Sequence, residues 1–310
     1  MVKRVSIIGI GAVGAIYAWR LSQYLGFPNV RVVVDAERLE RYQRDGIFLN
    51  GERVDYNYVT PEEVVEPADL VIIATKNHHL KEATEMIKGH VGEGTTLLSL
   101  LNGIESEEVL GQKFGPEKVL YAFTTALDST RVANRIDFST EGIIYFGEKD
   151  NSKSGRVEAL INLFDRAKIA LDNPENIERE QWAKFMVNVS INTISAITRG
   201  TYGDCANIEA IKSLIIEAQH EVIALAKAVG IEGLGPSYIT KYQKIFASLE
   251  YDGKTSMLQD IEAGRPTENS AFCIKASKLA RQYGVATPTI DLLGRILEGC
   301  EAVQQRLLNK

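Results

Sequence analysis

Gly9-Ile10-Gly11-Ala12-Val13-Gly14 directly follows the apolar run Val5–Ile8 and leads into a helical pattern over Ala15–Leu25. A G-x-G-x-x-G on its own recurs by chance. Set between a strand and a helix, and followed by the nearly all-valine strand Val30–Val34, it constrains the chain to a βαβ unit of a parallel sheet. Each glycine then has a physical task. Gly9 permits the tight turn, Gly11 lets the backbone approach a pyrophosphate, and Gly14 lets the helix pack close. The amides at the helix start supply a positive pole for an anion. Gly9, Ile10, Gly11, Ala12, Val13 and Gly14 are therefore candidate dinucleotide-binding residues.

Asp35 follows the second strand, about twenty residues beyond the last glycine. An acidic side chain there accepts hydrogen bonds from the ribose hydroxyls of NAD and repels the extra phosphate of NADP, so Asp35 favours NADH. Arg38 and Arg41 lie one to two turns on and could bind a 2′-phosphate; Asp35 could also simply cap the helix over 36–44.

Further apolar runs at Leu70–Ala74, Thr95–Leu100 and Val119–Ala122 alternate with helical patterns, as in a parallel sheet covered on both faces. Arg135–Thr140 and Gly142–Phe146 alternate more strictly and read as an antiparallel edge hairpin. Ala74-Thr75-Lys76 and Leu101-Asn102-Gly103 each stand just after a strand, at the carboxyl edge where an open sheet binds its ligands. Alone, Lys76 is ordinarily just solvated, Asn102-Gly103 could be only a turn pair, and His78 and His79 are most simply exposed helix-start residues.

Beyond about residue 170 strand signals fade and helical patterns dominate, with Asn173-Pro174 marking the break. The expected fold is α/β: a Rossmann-type parallel-sheet domain over 1–170 and an all-helical substrate and catalytic domain over 171–310. Over its 310 residues the chain carries a net charge of −6 with the signs interspersed, which argues against nucleic acid as partner. No apolar stretch approaches the roughly 20 residues of a membrane span. Cys205, Cys273 and Cys300 form no pair spacing, and no zinc-ligand pattern joins them to the four histidines, so neither a disulfide nor a metal site is expected. Cytoplasmic localisation follows as an expectation.

In the helical half, Lys184, Asn188 and Asn192 recur every four residues and form one polar stripe in a segment dense with Phe, Met, Val and Ile. Such a stripe must find hydrogen-bond partners. It faces either a ligand or a buried structural network. A second cluster runs from Thr255-Ser256-Met257-Leu258-Gln259-Asp260 through Arg265-Pro266-Thr267-Glu268, where Pro266 stops one helix and Thr267 caps a helix begun at Glu268. From the pattern alone, helix capping and surface solvation are the commoner explanations.

The glycine fingerprint, Thr75-Lys76, Asn102-Gly103, the Lys184/Asn188/Asn192 stripe and the Ser256–Asp260 and Thr267-Glu268 cluster, taken in that order, resemble the ketopantoate reductases (2-dehydropantoate 2-reductases) over nearly the whole chain. The resemblance implies a cleft between the two domains, NAD(P)H as cofactor with NADPH the family default, and a small anionic 2-oxo acid as substrate. It implies catalytic positions at Lys184, the proton donor, and at Glu268. Asn102, Lys184, Asn188, Asn192 and Ser256 would bind substrate. Lys76, Asn102 and Glu268 would join Asp35 and the glycine loop at the cofactor. A homodimer is expected from apolar stripes on the last helices, although Leu292–Ile296 and Leu307–Leu308 serve equally as core.

Three positions depart from that family's pattern. Asp35 stands where an arginine is common, 269–274 replaces a run close to I-D-x-x-N-G, and Tyr202-Gly203 replaces an N-G. The first bears on cofactor choice and the others on substrate. The alternatives are an NAD-dependent D-2-hydroxyacid dehydrogenase of the same superfamily, acting on another branched or aromatic 2-oxo acid, and a catalytically silent dinucleotide sensor. The retained Lys184, Asn192, Ser256 and Glu268 weigh against the sensor.

Overall fold

The computed structural model describes residues 1–308. The chain divides into two compact units, Met1–Ile177 and a second beginning at Glu178. In the first unit the strands are β1 (Val5–Ile8), β2 (Val30–Val33), β3 (Ile47–Leu49), β4 (Glu52–Val54), β5 (Asn57–Val59), β6 (Leu70–Ile73), β7 (Thr96–Ser99), β8 (Val119–Val132), β9 (Arg135–Gly147) and β10 (Leu171–Asp172). Its helices are α1 (Ala12–Leu25), α2 (Ala36–Asp45), α3 (Leu80–Met86), α4 (Ser106–Phe114) and α5 (Gly155–Arg166).

The sheet order is β4-β3-β9-β8-β7-β6-β1-β2-β5, with β10 added beside β9. β5, β2, β1, β6, β7 and β8 form an uninterrupted parallel run, and β1, β6 and β7 are buried on both faces. The apolar runs of the sequence predict that burial. The two terminal strands, β4 and β5, are separated in the chain by only Asp55 and Tyr56, so the sheet must curl until its edges approach. α1 packs against β1, β2, β8 and β9 at once and so lies inside the curl, with Ile16, Tyr17, Ala18 and Leu21 fully buried. Enclosure of Tyr17 pushes its hydroxyl well above the usual phenol range, and Glu141 adds to this.

Two expectations are corrected here. Arg135–Thr140 and Gly142–Phe146, read as the two strands of an edge hairpin, are one strand, β9, whose antiparallel partner is β8, and β9 is no edge: β3 pairs with its start, at Arg135 and Ile136, and β10 with Ile144 and Tyr145. The covering strands are two or three residues long, too short to show a period. The boundary at 170 also moves, because residues 170–177 stay bound to the first unit. The Ile144 amide donates to the Ala170 carbonyl (2.9 Å), Asn173 Nδ2 to the Phe146 carbonyl (2.7 Å), and the Ile177 amide to Asn151 Oδ1 (3.1 Å).

The second unit is helical: α6 (Ile177–Val187) enters it, followed by a π turn over Asn188–Asn192, α7 (Thr193–Thr198), α8 (Tyr202–Asn207), α9 (Glu209–Val229), α10 (Pro236–Ser248), α11 (Ser256–Glu262), α12 (Cys273–Tyr283) and α13 (Pro288–Leu308). Leu293 and Leu297 of α13 are core, whereas Leu292, Ile296, Val303 and Leu307 are exposed. Of the two roles the sequence left open for these residues, core or protomer pairing, core does not hold for Leu292, Ile296 and Leu307; the side chain of Leu308 lies outside the described residues. Among the described residues no helix is long and apolar enough to cross a membrane.

Candidate functional site

The glycine turn joins β1 to α1, and its three glycines differ in what surrounds them. Gly9 has φ +98°, a conformation that favours glycine, and a Cβ on it would meet the Ala74 carbonyl oxygen at 2.5 Å. On Gly14 a Cβ would stand 1.9 Å from the Gly9 carbonyl oxygen. The fold itself therefore demands both. Gly11 has an ordinary extended backbone, and the nearest atom to its virtual Cβ is the Ala74 oxygen at 4.0 Å. No neighbouring atom explains that glycine, whereas a group seated on the turn does.

Gly11 is also the N-cap of α1, without a side-chain cap, and the first helical turn holds no acidic residue. The positive end of the helix is thus not neutralised by a side chain of its own cap or first turn. Beside it, the Thr75 hydroxyl is buried with no hydrogen-bond partner. An open glycine, unneutralised helix amides and an orphaned hydroxyl fit a phosphate-bearing dinucleotide.

Asp35 caps α2: its Oδ1 accepts from the Arg38 amide at 2.7 Å, and its Oδ2 pairs with the Arg38 guanidinium. The capping role weighed from sequence is present. The carboxylate that would meet a ribose hydroxyl is engaged on both oxygens by one arginine.

Lys76 and Asn102 follow β6 and β7, neighbouring strands, and Asn77 Nδ2 ties their loops by donating to the Asn102 carbonyl at 2.9 Å. Gly103, at φ +98°, makes the turn after Asn102. Lys76 is exposed and Asn102 half-buried, both engaged with neighbours. The His78 and His79 rings lie 4.3 Å apart, tilted by 54°, and His79 meets Glu82 at 3.2 Å.

In the second unit, Lys184 lies on α6, and the π turn begins at Asn188 and ends at Asn192. The sequence predicts an uninterrupted helix here. The widened turn instead leaves backbone carbonyls to side chains: Ser190 Oγ donates to the Met186 carbonyl at 2.7 Å and Thr193 Oγ1 to the Asn188 carbonyl at 3.4 Å. Single π turns inside α-helices are frequent at functional sites. Asn192 Nδ2 donates to Asn188 Oδ1 at 3.0 Å, so the two amides share a side. Asn188 is 5% exposed, and its Nδ2 has no partner among the described residues. Leaving such a donor unmatched costs about 1–3 kcal/mol. Lys184 is half-buried and engaged.

α11 brings Ser256 to the same region, since it packs on α7 and on the π turn. Thr255 caps α11 by accepting from the Leu258 amide (3.2 Å) and donates to Ser195 Oγ (3.1 Å), which donates to the Gly200 carbonyl (2.6 Å). That buried chain fixes the start of α11 on α7 and leaves Ser256 exposed at the first helical position.

Glu268 is 7% exposed and precedes a short 3₁₀ turn over Asn269–Ala271. The helix predicted from Glu268 starts instead at Cys273, after a break at Phe272. Thr267 Oγ1 accepts from the Asn269 amide at 3.2 Å. The altered run touches the π turn, for Cys273 Sγ lies 3.4 Å from Thr193 Oγ1 and 3.6 Å from the Val189 carbonyl. Tyr202-Gly203 has a packing reason. A Cβ on Gly203 would enter the Tyr251 ring at 2.2 Å, and both amides donate to the Tyr251–Gly253 turn.

Missed from the sequence were the π turn, the bridge by Asn77, and Arg131, whose guanidinium reaches the Ile10 carbonyl of the glycine turn from 121 residues away. No local pattern announces any of these. Among the described residues no group of three or more His, Cys, Asp and Glu could hold a metal ion.

Comparison with known proteins agrees with this layout. The family described as "Ketopantoate reductase PanE/ApbA" matches residues 5–151, and "Ketopantoate reductase PanE/ApbA C terminal" matches 176–301. A 2-dehydropantoate 2-reductase of Streptococcus pyogenes serotype M3 (strain ATCC BAA-595 / MGAS315) is 26% identical over 309 residues, covering 96% of this chain and 98% of the relative. Among solved structures, D-mandelate dehydrogenase with NADH and anilino(oxo)acetate superposes with TM-score 0.87 at 22% identity, covering 97% of this chain and 99% of the other. 2-Dehydropantoate 2-reductase from Geobacter metallireducens GS-15 does so with TM-score 0.84 at 25% identity, covering 96% and 99%. With both family regions matched across most of its length, the chain belongs to the ketopantoate reductase (PanE/ApbA) family of oxidoreductases.

Proposed function

We propose that this protein reduces a small anionic 2-oxo acid to the 2-hydroxy acid with a nicotinamide dinucleotide, 2-dehydropantoate to pantoate being the leading reaction, as in pantothenate and coenzyme A biosynthesis. The observation that carries the proposal is the Asn188–Asn192 turn: paired amides, one with an orphaned buried donor, one turn beyond Lys184 and packed against the helix that starts with Ser256.

The dihydronicotinamide, when bound, supplies a hydride to the ketone carbon. The chain supplies the proton. As hydride arrives, charge develops on the ketone oxygen; the Lys184 ammonium stabilises it and gives up one proton to make the hydroxyl, a contribution of about 10²–10⁴-fold. The amides of Asn188 and Asn192 and the Ser256 hydroxyl hold the carboxylate and hydroxyl groups of the substrate. In the first unit the glycine turn with the Thr75 hydroxyl holds the pyrophosphate, Lys76 and Asn102 hold the nicotinamide side, and Asp35 lies at the adenosine end. Glu268 belongs to the same reading as a cofactor contact. A homodimer is part of the proposal too, supported by the exposed Leu292, Ile296, Val303 and Leu307 along α13.

The competing reading, a D-2-hydroxyacid dehydrogenase for an aromatic 2-oxo acid, draws on the altered run that packs Cys273 behind the π turn. One steady-state comparison decides. Oxidation of NADH and NADPH is followed with 2-dehydropantoate, phenylglyoxylate and 2-oxoisovalerate. The proposal expects 2-dehydropantoate to give the highest kcat/KM. Preference for phenylglyoxylate moves the assignment to the competitor, and dinucleotide binding without turnover of any acid moves it to a sensor.

A further inference from the structure

β8 runs well beyond its short pairing with β7 and, paired with β9, carries a tip at Val132–Asn134. The arm bends where Ala126 and Gly142 take positive φ and the register slips between Asp128 and Ser129. Thr140 pins the bend: its Oγ1 donates to the Ala126 carbonyl (2.6 Å) and accepts from the Asp128 amide (2.9 Å). The consequence is that Arg131, at the end of β8, lies against the glycine turn. Its Nη1 donates to the Ile10 carbonyl and its Nε to the Ala133 carbonyl, the latter at 2.9 Å.

Two features make Arg131 more than a latch. It is half-buried, yet no carboxylate among the described residues pairs with it, and the two carbonyls leave three of its five N–H donors unspent. It also stands on the β2–β5 side of β1. Burial raises the Tyr56 and Tyr58 hydroxyls above the usual phenol range, and the Arg131 cation acts against that rise at both. Tyr56 in turn is anchored beside α1, its hydroxyl donating to the Ala15 carbonyl at 2.9 Å. Asp35 lies beyond β2 on this same side, whereas Lys76 and Asn102 follow β6 and β7 on the other.

Resting on the dinucleotide reading above, we propose that Arg131 is the cofactor-specificity residue of this protein, receiving the 2′-phosphate of NADPH beside the Ile10 carbonyl. Asp35 does not oppose this, because the Arg38 amide and guanidinium engage both of its oxygens and neutralise it. A phosphomonoester carries about −1.5 to −2 charges at neutral pH, and the planar guanidinium fork matches its oxygens. The Asp35–Arg38 pair is neutral, so Arg131 leaves this end of the turn cationic.

The test is equilibrium binding by the full chain, read by fluorescence titration with NADPH, NADH, adenosine 2′,5′-bisphosphate and 5′-AMP. Wild type is expected to bind each 2′-phosphorylated ligand more tightly than its partner. Arg131→Ala is expected to weaken the two 2′-phosphorylated ligands by about 10–100-fold and the other two by less than about threefold, with a thermal midpoint close to wild type. Arg131→Lys, which keeps the charge without the fork, should fall between. Equal weakening of all four ligands would make Arg131 a latch of the hairpin and overturn the proposal, as would no effect on any. If wild type binds none of the four, the dinucleotide reading fails together with it; if it binds NADH and 5′-AMP well and gains nothing from the phosphate, only the role of Arg131 fails.

Discussion

A methyl group on Gly14 has nowhere to go, since the Gly9 carbonyl oxygen lies 1.9 Å from its position, whereas one on Gly11 meets no atom nearer than 4.0 Å. The two substitutions should therefore separate folding from binding. Gly14→Ala is expected to destabilise the protein by about 3 kcal/mol, because backbone must move. Gly11→Ala should keep the thermal midpoint within about 2 °C and weaken dinucleotide binding at least about tenfold. A Gly11→Ala protein that binds like wild type would remove the pyrophosphate from the turn.

His90 makes a different argument about single residues. It is 1% exposed, its Nδ1 lies 2.9 Å from Ser6 Oγ, and burial, reinforced by Arg31, lowers its pKa from 6.5 to about 4. Between those values the unfolded chain binds a proton that the folded chain does not, so stability falls as pH falls, by about 3 kcal/mol over the whole window. Urea denaturation at pH 7.5, 6 and 5 should show that decline, and His90→Gln should flatten it.

At the scale of elements, the stripe Lys184/Asn188/Asn192 was legible as a helical period, but the π turn that aims its two amides was not. The turn depends on hydroxyls of Ser190 and Thr193 taking displaced carbonyls, and serine and threonine occupy many helices without doing so. α11 separates support from contact in adjacent residues. Thr255→Val breaks the cap and the buried chain to Ser195 and Gly200, an expected loss of about 2 kcal/mol in chemical denaturation. Ser256→Ala, at an exposed position, should change stability by less than about 0.5 kcal/mol while raising KM for the 2-oxo acid about 10–100-fold. Unchanged KM would take Ser256 out of the substrate site.

For the molecule as a whole, the proposed tasks fall on different units: the glycine turn belongs to the first, and Lys184, Asn188, Asn192, Ser256 and Glu268 to the second. Lys184→Ala should then lower kcat at least about 10²-fold and leave the dissociation constant of the dinucleotide within about threefold; a matching loss of binding would sink the division. The sequence by itself determined the central parallel strands, the helical second half and the motif-bearing residues, because continuous burial, helical period and glycine spacing are local signals. Only the tertiary structure decided that the sheet curls until β4 and β5 approach, that residues 170–177 stay with the first unit, and that Asp35 is engaged by Arg38. It alone put Arg131 on the glycine turn, since that contact joins residues 121 apart through a bent hairpin, and strand pairing over such a distance leaves no trace in the residues at either end.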